Sequence, residues 1–232
     1  MRNPTFRAMI YLLPALLAGT LLVAISSVKT TVSARIDAPL LLPPSQIKYF
    51  TLGYDEVVAD GFWLRTIQDF DFCENKRPSD KGQIVCQKGW VFHMIDAITE
   101  LAPRFERAYR SGAIMLTVIV NDIDGASRIF DKGMKQFPND GQLAYAAAYQ
   151  ALFEEKNSDK AARLLVIAGK NGLPPWVFAL AGRLQQKSGQ LELARSILQE
   201  AVDLDPSGPG AERIQQRLTE VEKALAKTKP GN

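Results

Sequence analysis

The stretch PPWVFALAGRLQQKSGQLELARSILQEAVDLDP, residues 174–206, decides the fold. Apolar residues recur at three- and four-residue spacing on both sides of the turn SGQ (188–190), so the stretch reads as two helices folded back on each other. Small residues stand where those helices cross: Gly182 in the first, Ala194 in the second. Helix axes approach closely only where the side chains between them are small. Leu198 fills the space beside the crossing, Ala201 leaves room for a following helix, and Pro206 stops the second helix.

Upstream, the same arrangement recurs. Prolines at 103, 138, 174 and 206 are spaced by 35, 36 and 32 residues, in the range of helical repeat units. Ala148, Ala161, Leu165 and Ala168 precede Pro174, and Ala113, Ala126, Phe130 and Gly133 precede Pro138. An earlier pair, YDEVVADGFWLRTIQDF and GWVFHMIDAITEL, is separated by a polar loop containing both cysteines. The periodicity predicts helices over about 46–71, 88–101, 104–120, 123–136, 140–155, 158–170, 175–187, 190–204 and 208–227, with no strand.

This pattern resembles the tetratricopeptide repeat. Phe178, Ala181 and Gly182 stand at that pattern's aromatic, apolar and glycine positions, and Ala194, Leu198, Ala201 and Pro206 match its second helix. The resemblance covers 54–206, is clearest in 175–206, and departs from the pattern at Arg110 and Thr117. The chain as a whole looks like the single-span envelope members of that family in bacteria. What the resemblance implies is an all-α chain: a solenoid of about three to four helical hairpins over 46–206, in units of about 54–103, 105–138, 140–174 and 175–206. Residues 207–232, polar and amphipathic, then form a capping helix and tail.

In such arrays the first helix of each unit lines a groove that holds a segment of another protein. Carried onto this chain, the groove residues are Gln150, Phe153, Trp176, Arg183, Gln186 and Lys187, with Met115, Val118 and Ile119 inward in the preceding unit. Arg183 and Lys187, one turn apart, form a basic patch suited to an acidic peptide or a terminal carboxylate; the alternative is two solvated cations. Trp176 belongs either to the core or to the groove. Trp63 and Trp90 read as core of the first helix pair.

The N-terminal segment has a different character. Residues 8–28, AMIYLLPALLAGTLLVAISSV, contain no charge, and twenty-one helical residues rise about 31 Å, the thickness of a bilayer core. Arg2 and Arg7 precede the run, so the expectation is a signal anchor with residues 1–7 cytosolic and the body exported. Cleavage after Val32-Ser33-Ala34 is the alternative. Residues 29–45, rich in proline, read as a linker. The expected location is therefore the inner membrane, single-pass, with a periplasmic domain. In that oxidising setting Cys73 and Cys86, the only two cysteines, are expected to form a disulfide.

Charge excludes one class of partner. The first 35 residues hold four basic residues and no acid; the rest carries 24 basic against 25 acidic, without the excess a nucleic-acid binder needs. His93, the only histidine, has apolar neighbours and no evident partner, and no phosphate loop, nucleophile elbow or calcium loop is present. No catalytic residue, metal, cofactor or small-molecule substrate is expected, and no enzyme. The expected function is a membrane-anchored scaffold or assembly protein binding other proteins of an envelope complex (secretion, pilus, motor or respiratory). The alternative is a chaperone-like holder of exported clients.

Overall fold

The computed structural model describes residues 17–24, 41–74, 89–208 and 210–228, which form helices joined by turns, with no strand among them. A 3₁₀ turn (Ile47–Phe50) leads into α1 (Asp55–Glu74) and α2 (Trp90–Leu101). There follow α3 (Glu106–Met115), α4 (Ile123–Gln136), α5 (Gly141–Phe153), α6 (Ser158–Lys170), α7 (Trp176–Lys187), α8 (Leu191–Leu204) and α9 (Ala211–Thr228).

Two expected helices differ in detail. The one over 46–71 is broken at Leu52 and Gly53, whose left-handed φ values of 52° and 87° no α-helix accepts. The one over 104–120 leaves α-geometry at Leu116 and finishes in a π-helical turn, Leu116–Val120.

One expectation is overturned. Among the described residues no helix is long and apolar enough to cross a membrane. Of the run 8–28 only 17–24 is described; it is helical, and eight residues rise only about 12 Å against the roughly 30 Å of a bilayer core. The transmembrane helix in the expected fold class is therefore not supported, and the single-pass inner-membrane location and membrane partner fall with it. The expected bridge between Cys73 and Cys86 lies outside the described residues.

Beyond α2 the connections are short and locally encoded. Asp122, Asp140 and Asn157 cap α4, α5 and α6, their side chains accepting from the N–H of Gly125, Leu143 and Lys160 at 2.9, 2.9 and 3.0 Å. The turn after α3 recurs 35 residues on, after α5. Asn121 and Lys156 take left-handed φ of 58° and 57°, and the next residue's N–H reaches back to a carbonyl, Asp122 to Leu116 and Asn157 to Ala151. The same turn geometry thus leads from α3 into α4 and from α5 into α6.

Each helix packs on the next, and α3 also touches α5, α7 touches α9, and α2 touches α4. Neighbours in sequence thus form hairpins, and alternate helices line up in two layers, odd-numbered and even-numbered. The small residues lie where the layers meet. Ala113, Ala126, Ala148, Ala161, Ala168, Ala194 and Ala201 are buried, with Phe130, Leu165 and Leu198 packed among them. Gly133 and Gly182 are buried too; a Cβ on Gly182 would lie 2.7 Å from Leu198 Cγ, and one on Gly133 3.0 Å from Tyr109 Cβ. A Cβ at Gly182 would overlap Leu198, and one at Gly133 would be tighter than an ordinary contact.

Ion pairs tie the even layer together. Asp96 of α2 meets Lys132 of α4 at 2.8 Å, Asp131 of α4 meets Lys160 of α6 at 3.0 Å, and Lys170 of α6 meets Glu200 of α8 at 2.6 Å. Lys160 is also held by Glu155 at 3.0 Å. Burial acts to lower the Lys160 pKa, but the hydrogen bonds and charges of Asp131 and Glu155 outweigh it, and the net shift is upward.

Candidate functional site

The odd layer presents a different surface. On a helix, residues at i, i+3, i+7 and i+11 share one face. On α3 and its π turn that face carries Arg107, Arg110, Ile114 and Val118; on α5, Gln142, Tyr145, Tyr149 and Phe153; on α7, Trp176, Ala179, Arg183 and Lys187. The three rows are in register, each position recurring after 35 and then 34 residues.

Between the first two rows lies a cleft of about 490 Å³, walled by Arg110, Ile114 and Val118 on one side and Gln142, Tyr145 and Tyr149 on the other. Its floor is Phe130 of α4 with Thr117 and Gln150, where Thr117 Oγ1 donates to Gln150 Oε1 at 2.6 Å. Tyr145 meets Trp176 edge to face at 5.7 Å, joining α5 to α7, and the rings of Tyr149 and Phe153 are 4.4 Å apart. Val118 is 74% exposed, Tyr149 56%, and Phe153 and Trp176 46% each. These large apolar side chains, spread over three consecutive odd helices, are open to solvent and not part of the core.

Most of the groove residues expected from sequence stand on this face. Phe153, Arg183 and Lys187 are exposed, Trp176 lies at the groove and not in the core, and Gln186 is half-buried beside Lys187. Val118 and Ile119 are exposed and Met115 half-buried. Gln150 differs. It is 3% exposed and turned inward, its Nε2 donating to the Ile123 carbonyl at 3.4 Å, so it supports the floor and leaves the rim to Tyr149. One residue is a 100° rotation on a helix, and the groove stripe passes through 149. Tyr145, Tyr149, Ile114 and Arg110 were not expected; the 34-residue offset applied to Arg183 and Trp176 would have found Tyr149 and Gln142.

The charges of the groove lie at opposite corners of the apolar band, Arg107 and Arg110 at one and Arg183 and Lys187 at the other. Arg110 is paired with Glu106 at 3.0 Å. Arg107, Arg183 and Lys187 have no acidic partner within 4.0 Å among the described residues. His93 is exposed on α2, its ring 5.3 Å from Phe92, and is not among the residues that line the cleft. Trp90 is buried, its Nε1 donating to the Leu41 carbonyl at 3.1 Å, and Trp63 is half-buried edge-on to Phe105 at 5.5 Å. Among the described residues no group of three or more His, Cys, Asp or Glu is placed to hold a metal.

No protein-family model matches the sequence, and no curated protein matches it. Among solved structures, one titled "MamA RS-1 ArsTM double mutant" is similar over 72% of this chain and 96% of its own, at 18% identity and a TM-score of 0.39. A likeness that loose says nothing about what this chain does.

Proposed function

We propose that the chain is a tetratricopeptide-like repeat array, with units near 105–138, 140–174 and 175–206, that acts by holding a segment of another protein in the groove of α3, α5 and α7. On this reading it is a scaffold, and it carries out no chemistry of its own. The observation that supports it most is the open apolar band from Val118 to Trp176, which crosses three repeat units in register. Solvating such a band is unfavourable by about 25 cal/mol for each Å² of apolar area. A partner covering it recovers that energy. The rows stand on helices, so the backbone carrying the anchor sites is ordered before binding and less conformational entropy is lost.

Selection of displayed peptides on the purified full chain tests the reading. Enriched peptides should carry two or three large apolar anchors, and Val118→Asp should weaken their binding at least tenfold while the far-ultraviolet circular dichroism stays unchanged. Failure to enrich any peptide, or binding indifferent to Val118→Asp and Tyr149→Asp alike, would remove the groove from consideration.

A further inference from the structure

We infer that α1 of a second copy of this chain is an occupant of the groove, so that copies associate head to tail. This rests on the groove reading above and names one partner for it.

Like the groove, α1 leaves an apolar stripe uncovered. Its inner face, with Ala59 and Thr66 fully buried, packs on α2. Its outer face carries Val57, Leu64 and Ile67, spaced by seven and three residues and therefore aligned, and 66%, 59% and 42% exposed. Glu56 and Asp60 flank the stripe and are exposed. Over residues 55–70 the helix has four acids (Asp55, Glu56, Asp60, Asp69) and one base, Arg65, which is tied to Asp69 at 3.2 Å.

The groove has the opposite balance. Helices α3, α5 and α7 together carry four bases (Arg107, Arg110, Arg183, Lys187) and one acid, Glu106; Glu154, one residue past α5, is a second acid lining the cleft, so bases still outnumber acids there. In the even layer, by contrast, the charged side chains that cross between helices satisfy one another. So an acidic helix with an apolar stripe faces a groove whose apolar band has a basic corner at either end.

The dimensions agree. Three helices about 10 Å apart, with about 16 Å of axis from Arg107 to Val118, give a diagonal of about 25 Å. The twenty residues of α1 span about 30 Å. Because α1 is held on its own α2, it offers its stripe outward. A contact between two different surfaces of the same chain repeats from copy to copy, giving a ring or an open row.

Sedimentation velocity of the purified full chain, at about 50 and about 500 mM salt, tests this. Wild type should associate, and the dissociation constant should rise at least tenfold at the higher salt. Val118→Asp in the groove and Leu64→Asp on α1 should each abolish growth beyond the monomer, with Tyr149→Asp and Val57→Asp as independent second variants. An equimolar mixture of a groove variant and an α1 variant should give a dimer that grows no further, since one intact groove and one intact α1 remain. A monomeric wild type at about 100 µM overturns the inference, and so does a mixture that stays monomeric while wild type associates. If the same protein still binds selected peptides through Val118, the groove reading survives and only α1 is the wrong occupant.

Discussion

At the scale of single residues, packing is decided by a few small side chains. Gly182 lies against Leu198 with no space for a Cβ. Gly182→Val should destabilise the chain by about 1–3 kcal/mol, because overlap with Leu198 outweighs the roughly 0.3 kcal/mol that valine gains over glycine in a helix interior; urea unfolding gives the number. A stability equal to wild type would mean that Leu198 moves aside freely. Val118→Asp should change stability by no more than about 0.5 kcal/mol in the same experiment, because Val118 has little packing to lose. Small buried residues were legible in the sequence because they must recur wherever helices cross. Every alanine and glycine assigned to packing is buried. The groove rim was less legible. Gln150 and Tyr149 are neighbours, both plausible on an exposed face, and only the helix phase separates them: one points to Thr117, the other to solvent.

At the scale of elements, the connections carry as much information as the helices. Removing a cap with Asp140→Ala frees the Leu143 N–H at the start of α5 and should lower stability by about 1 kcal/mol, read from the urea midpoint. The junction of α4, α5 and α6 also carries a pH dependence. Since the Lys160 pKa is raised in the folded protein, its ion pairs with Asp131 and Glu155 stabilise fully below the ordinary lysine value and are lost only as pH rises through the folded value. The stability difference between wild type and Lys160→Met should therefore stay flat from about pH 6 to about pH 10 and narrow above that. Narrowing that began near neutrality would contradict this arrangement. Helix existence was legible from periodicity, and boundaries were fixed by chemistry that periodicity ignores. The left-handed Leu52 and Gly53 divide the first predicted helix, and the π turn at Leu116–Val120 leads directly into the Asn121–Asp122 cap.

At the scale of the whole molecule, the two layers divide the work. Ion pairs run from α2 to α4, α6 and α8 on the even side, while the odd side leaves aromatic rings and cations open. The 35-residue offset that relates Ala113 to Ala148 also relates Ile114 to Tyr149 and Asn121 to Lys156, so one repeat governs packing, groove and turn together. The membrane expectation had no such repeat behind it, because it drew on the hydropathy of the single run 8–28 and on the basic residues Arg2 and Arg7 before it. Among the described residues no helix of the required length and apolarity is found. Mapping the amide and aromatic shifts of the full chain as a selected peptide is added tests the groove most directly. Changes concentrated on Ile114, Val118, Tyr145, Tyr149, Phe153 and the Trp176 indole are the predicted result; changes concentrated on α4, α6 and α8, with Tyr149 and Trp176 unmoved, would contradict it.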